Sequence, residues 1–399
     1  MSVLSTETVV RHSAADAEPL RDYRGARVAA PALLRDIRID SLRGLMLAEI
    51  TMVHVHCPAA LLFYECFGRV SPAAGFVFLS GLVAGAVYSR TAEQGAAAIT
   101  QRCLRRAFYI HAYHVLAFLG LLALVVVAPR VNAYFHFAVG PSAADAARAL
   151  GWFAVWGYQP NLFDILPMYG LFVLFMPGAL LALRRGRGLA MLLVSLGIWV
   201  LAQIGLGRIA DDAGHFGFFQ GDFNPFAWQL VFFSGLYFGH LQLYRRRQLV
   251  AARPALVALC LMICVLGLTM RWQWLPWPAI FGTDGWLASK QNYGAAYLVN
   301  FLAFSYLVYC LAAHVPRVFR WPALAFLGRH SIQVFSFHVV AIYLAAPLIW
   351  RSAARGPWAH DALGVALTAS LFVPAWCHSK WQQRRTRYRL SVNPPAPAG

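Results

Sequence analysis

The sequence predicts an all-α polytopic membrane protein, a bundle of about ten transmembrane helices with both termini in the cytoplasm. Three observations carry that class. The chain is 60% apolar and only 13% charged over 399 residues. Apolar runs near 20 residues recur along it, the length needed to cross a hydrocarbon core of roughly 30 Å. Its basic residues fall in alternate loops: with the N-terminus inside, the cytoplasmic side receives about 26 of the 34 Lys and Arg residues, which is the positive-inside pattern.

Residues 1–34 are mixed polar and lack the apolar core of a signal peptide, so they read as a flexible cytoplasmic tail. The first span, near 40–62, holds Asp40, Arg43 and His54. Asp40 and Arg43 are i, i+3 neighbours, a spacing that suits an ion pair or a helix-capping role equally. Arg43 and His54 are separated by close to three whole turns, which puts them on one helix face about 16 Å apart. An ionisable residue inside a span costs roughly 2.5–3.5 kcal/mol and usually faces a bundle interior or a watery cavity, so function is the default reading of the pair. His54 is of the type best suited to exchange a proton near neutral pH. Glu49 and His56 share a second face and read as a packing pair.

The second span lies near 72–89 and the third near 107–128. The third is entered through RCLRRAFYIHAYH, which places Arg102, Arg105 and Arg106 at the cytoplasmic boundary. Guanidinium forks there suit the phosphates of a nucleotide-like donor, and ordinary anchoring suits them as well. His111 and His114 follow at i, i+3 and could face the same cavity; with no further ligands in view, no metal site is expected. The fourth span, near 161–183, opens on QPNLFDILPMYG, whose Asp164 can orient an imidazole, bind a sugar hydroxyl or cap the helix.

Further spans lie near 189–206, 226–244, 254–270, 294–313, 322–349 and 360–379. The ninth carries Arg329, His330, Ser331 and His338; Ser331 and His338 share a face, and no GxSxG elbow surrounds the serine. Three outward segments, 129–160, 207–225 and 271–293, are rich in Trp, Tyr, Asp, Asn and Gln, Asn224 among them. Membrane-interface anchoring explains such aromatics, and flat rings flanked by polar groups also suit sugars. Residues 383–399 read as a cytoplasmic C-terminal tail.

A net charge of +18 would fit a nucleic-acid partner, but its distribution by loop assigns it to topology, with a few arginines left to meet an anionic substrate at the membrane surface. The seven cysteines lie mostly in spans, without metal-type spacing, and read as inert buried thiols. Nothing in the sequence sets an oligomeric state.

Several pieces are recognisable together: RDIRIDSLRG with His54, SPAAGFVFLSGLVAG, the arginine cluster before the third span, QPNLFDILPMYGLFVLFMP, FNPFAWQLVFFSGLYFG and LGRHSIQVFSFH. Spread in order over about 35–380, they resemble the OpgC family, membrane succinyltransferases of osmoregulated periplasmic glucans within the wider acyltransferase-3-like group. Arg43, His54, Arg102 and Arg105 match that wider group by position; Val53 and Gly75 depart from it by replacing polar positions.

The resemblance implies that residues 35–382 form one transmembrane acyltransferase domain in a bacterial inner membrane. The reaction it implies moves a succinyl or similar short acyl group from cytoplasmic acyl-CoA to hydroxyls of a periplasmic glucan. Succinyl-CoA is then a co-substrate, no cofactor is permanently bound, and membrane lipid is the surrounding. Arg43, Arg102 and Arg105 would hold the donor, His54 would be the general base or itself carry the acyl group, and Asp164 or His338 would orient the reacting groups. Arg329 or Arg106 would meet an acyl carboxylate, with Asp40, His111, His114, Asn224, His330 and Ser331 as further substrate-binding positions. A glucan or polysaccharide transporter that makes no bond is the rival class, although no inverted repeat supports it; an acetyltransferase for another polysaccharide is the nearer alternative.

Overall fold

The computed structural model describes residues 36–127, 143–207, 222–245, 251–281 and 286–392, and all their regular structure is helical. The expected tail 1–34 and the end of the C-terminal tail, 393–399, lie outside the described residues. So do parts of the outward segments, including Tyr134, His136, Asp211, Asp212, His215, Gln220 and Asp284.

Helix α1 spans Ile37–Val55, and its first turn is capped by Asp36, whose carboxylate accepts the Arg38 N–H at 2.9 Å. It stops because His56 turns left-handed, with φ 60°, and Pro58 follows. The first span is therefore shorter than the expected 40–62. Helix α2, Pro72–Glu93, starts with Ser71 accepting the Ala74 N–H at 3.3 Å and Pro72 in the first turn. Helix α3, Ala96–Val127, begins well before the expected 107, so Arg102, Arg105 and Arg106 sit on the helix itself.

A short helix α4, Ala143–Ala154, was not expected. There follow α5, Ile165–Arg184; α6, Gly188–Gln203; and α7, Pro225–Phe238, which widens into a π-turn through Tyr244. Next come α8, Pro254–Arg271; α9, Ala295–His314; α10, Pro322–Arg329; and α11, Ser331–Arg355. Two last helices, α12 (Pro357–Ser370) and α13 (Phe372–Val392), complete the chain, so helix continues past 383 where a tail was expected.

Among the described residues seven helices are long and apolar enough to cross a membrane, not ten, with α12 and the body of α13 making one of them. Helix α1 carries Asp40, Arg43 and Glu49 in 19 residues, α6 is apolar but has 16 residues, and α7 reaches 14 before its π-turn. At 1.5 Å per residue α6 is shorter than the hydrocarbon core, whereas α7 with its π-turn is one continuous helix over 225–244, the reach expected of the sixth span. The expected ninth span is divided at His330, where the helix hydrogen bonding breaks between α10 and α11.

Side-chain contacts sort the helix ends into two groups. Arg102 of α3 donates to the Thr91 hydroxyl of α2, Arg184 of α5 donates to the Ala92 carbonyl at 2.9 Å, and Arg38 of α1 reaches the Ala312 carbonyl of α9 at 3.0 Å. These contacts define a basic end. The starts of α5, α7 and α9, with the loops before them, lie at the opposite, loop end.

Close helix approach depends on small residues, as expected where lipid supplies no hydrophobic drive for association. A Cβ at Gly44 would run into the Leu324 carbonyl of α10, and one at Gly328 would run into the Asp40 carbonyl of α1. That reciprocal contact brings α1 against the α10–α11 junction and so sets the distance across which Arg43 and His54 meet their partners.

Candidate active site

Helices α1 and α11 are joined at two levels. Near the basic end, the buried Arg43 guanidinium donates to Ser331 Oγ at 2.6 Å and lies 5.8 Å from the Phe76 ring centre. Nearer the loop end, His54 Nδ1 and His338 Nε2 are 3.2 Å apart, with the two rings nearly parallel. The arrangement assigns the protons. The Phe335 carbonyl lies 2.5 Å from His338 Nδ1 and can only accept, so that nitrogen carries the hydrogen. A neutral His338 then accepts at Nε2, so His54 donates from Nδ1 and keeps a lone pair on its own Nε2. An imidazole with one nitrogen held by an orienting partner and the other unprotonated is the geometry of a general base.

His54 opens into a cavity of about 730 Å³ at the loop end, shared with Tyr64, Asn161, Asp164, Asp222, Arg271 and Lys290. A second cavity of about 430 Å³ adjoins it through His54, His56, Asn161 and Leu162, and reaches Trp350 and His360. Two lining residues, His56 and Leu162, hold positive φ angles of 60° and 72°. Non-glycine residues rarely accept such angles, and where they persist they commonly mark sites of function.

Asp164 stands just ahead of α5 without capping it; instead its carboxylate accepts the Asp222 N–H at 2.6 Å. Burial, with the Asp222 carboxylate beside it, pushes the Asp164 carboxyl up to about 7. Across the cavity the Lys290 ammonium donates to the Tyr64 hydroxyl at 3.0 Å, while Arg271 is ion-paired with Glu65 at 2.5 Å. Burial and the neighbouring Glu65 raise the Tyr64 phenol above its ordinary range, so it is neutral near pH 7. Thus His54, His338 and Asp164, the three residues with predicted catalytic roles, converge on one place, and Lys290 joins them. Lys290 lies in the outward segment 271–293, and no motif in the sequence marks it.

Other candidates fall elsewhere. At the basic end Asp40 is buried and lies 3.7 Å from Arg329. His330 and His378 share a contact of 2.8 Å between their Nδ1 atoms. Neither Arg329 nor Arg106 lines the His54 cavity; Arg106 lies over the Tyr109 ring. Arg102 and Arg105 are exposed on α3, with the Arg102 guanidinium 4.8 Å from the Tyr88 ring centre.

Three further candidates lie off the His54 cavity. His114 does not face a cavity with the arginines: it is fully buried, stacked on Phe153 at 4.1 Å and edged by Phe163, because α3 packs that face into an aromatic cluster. His111 faces outward from that cluster to accept the Trp156 indole N–H at 3.2 Å. Asn224 is placed as a helix cap. It is fully buried, accepts the Phe226 N–H at 3.0 Å as the cap of α7, and donates to Leu206 and Asn292. A capping Asn carries the same sequence signature as a ligand-binding one, which is why sequence alone did not separate them.

No curated protein and no solved structure matches the chain. The family described as OpgC protein matches residues 35–383, and that stretch contains both levels of the α1–α11 contact and the cavity around His54. The chain is a membrane protein by its seven membrane-length helices and belongs to the OpgC protein family, a membership that points to a membrane acyltransferase for glucans.

Proposed function

We propose that this chain is an inner-membrane O-acyltransferase that moves a succinyl or similar short acyl group from cytoplasmic acyl-CoA to a hydroxyl of an osmoregulated periplasmic glucan. The observation that carries the reading is the His54–His338 pair, whose hydrogen bonding leaves His54 Nε2 free to take a proton at the edge of a polar cavity. His54 Nε2 removes the hydroxyl proton as the glucan oxygen attacks the thioester carbonyl. The new C–O bond forms, the C–S bond breaks, and the sulfur leaves with its electron pair and is protonated from the His54 imidazolium. His338, through its Nε2, stabilises the charge that His54 acquires; it is a positioning residue.

Coenzyme A is a polyanion, so its phosphates remain at the basic end while the pantetheine arm points inward. In this reading Arg102 and Arg105, both exposed on α3, hold those phosphates. Arg43 lies deeper and holds Ser331, joining α1 to α11 along the route. Asp164, Asp222 and Asn161 line the cavity on the acceptor side, where carboxylates and amides suit sugar hydroxyls.

Mass spectrometry of periplasmic glucans from cells with the protein, without it, and with His54→Ala at equal abundance tests the reading. Loss of the acyl ester in both the deletion and the variant is expected. Esters retained in the variant would remove His54 as the base. Esters unchanged in the deletion, with glucan displaced between compartments, would replace the acyltransferase with a transporter.

A further inference from the structure

An acyl group that enters from the basic end arrives carbonyl last, with its far carbon leading into the loop-end cavity. If that carbon is a carboxylate, burying it without a partner is costly, so the cavity must supply a cation. Among the described residues two cations line it, Arg271 and Lys290. Arg271 is already committed to Glu65, which also accepts the Tyr297 hydroxyl at 2.8 Å. The Lys290 side chain has a neutral partner, the Tyr64 phenol at 3.0 Å, and lies 5.0 Å from the centre of that ring; among the described residues no carboxylate is within ion-pair distance of it. An ammonium has three donors, so two remain for a further acceptor.

The position is also built rather than incidental. The Lys290 carbonyl accepts from the indole N–H of Trp228, a fully buried side chain, at 3.3 Å, and from the Tyr293 N–H at 3.2 Å. Its backbone is therefore pinned to the start of α7 while the side chain faces the cavity that His54 enters. A glucan hydroxyl is neutral, and the donor's phosphates cannot follow its acyl group inward. The acyl carboxylate is the remaining anion of the reaction.

We propose that Lys290, held by Tyr64, determines acyl specificity by binding the free carboxylate of a dicarboxylic acyl group whose thioester carbonyl lies at His54. This rests on the acyl transfer proposed above. It distinguishes a succinyl donor from a neutral one of the same length, because a site built to bind a polar group rejects an analogue that lacks it.

The test uses the purified full chain with a glucan acceptor and two donors of equal chain length, succinyl-CoA and butyryl-CoA. Ester formation is followed by mass spectrometry for the wild type, Lys290→Gln, Lys290→Arg and Tyr64→Phe. In Lys290→Gln the ratio of kcat/KM for succinyl-CoA over butyryl-CoA falls about 10–100-fold, the worth of a charge-assisted hydrogen bond. Most of that fall appears in KM for succinyl-CoA, and Lys290→Arg keeps most of the preference. Turnover of butyryl-CoA by Lys290→Gln shows that the variant is folded. A parallel loss on both donors, or a preserved ratio in Lys290→Gln, would overturn the assignment. A wild type that uses both donors alike refutes it while leaving acyl transfer standing; a wild type that esterifies from neither removes the acyl-transfer reading and this assignment with it.

Discussion

Replacing His338 with Ala removes the acceptor on which the His54 tautomer rests, a ring-to-ring contact of 3.2 Å. With both rings neutral, that bond contributes about 1 kcal/mol. In the transition state His54 carries the substrate proton and a positive charge, and a hydrogen bond to a charged partner is worth about 1.5–3 kcal/mol. Only the difference, about 0.5–2 kcal/mol, falls on the barrier, so kcat drops about 2–30-fold. KM for either substrate changes little, because His338 is reached through His54. His54→Ala alone removes general-base catalysis, a loss of about 10²–10⁴-fold. Because the two residues act as one unit, the double variant is no slower than His54→Ala by itself. His338→Gln, whose amide oxygen can occupy the place of Nε2, recovers part of the rate. The assay is the initial rate of glucan ester formation at matched protein abundance. A His338→Ala protein with wild-type kcat, or a double variant whose losses multiply, would refute the pairing.

Asp164 makes stability depend on pH. Its carboxyl titrates at about 7 in the folded protein and near 3.9 when unfolded, so between those values the folded chain binds more protons. Stability therefore falls as pH rises from about 4 through about 7; thermal melts across pH should show that slope, and Asp164→Asn should flatten it. Gly328→Ala drives a methyl into the Asp40 carbonyl and costs about 1–3 kcal/mol as overpacking. It should lower Tm and ester formation together, and an unchanged Tm counts against the close approach. Asn224→Ala loses the α7 cap, about 0.5–2 kcal/mol, so Tm falls while the folded fraction keeps the wild-type KM for glucan. A raised KM would return Asn224 to the binding site.

The Arg43–His54 face was legible because one helix repeat relates the two residues, whatever packs against them. Their partners were named only as neighbours on another span. That Ser331 meets Arg43 and His338 meets His54 depends on how α11 lies beside α1, which in turn depends on the glycine contact at Gly44 and Gly328. Hydropathy averages over a window and does not see where a cap or a proline ends a helix, so the first expected span ran past His56 and the fifth past Gln203. His114 misled for a related reason. A histidine in an apolar helix has one appearance in sequence, whether it faces a cavity or an aromatic cluster.

The sequence by itself determined the membrane class, the family and the helix face that carries the base, because each depends on composition, local periodicity or motifs read along the chain. Only the tertiary structure decided which nitrogen of His54 is free, which cation shares its cavity and which polar residues are consumed as caps. Those properties belong to contacts between residues far apart in the chain: His54 with His338, Lys290 with Tyr64, Asn224 with Asn292. Hydrogen-bond donors and acceptors are directional and short-ranged, so their pairing is settled only when the helices are packed.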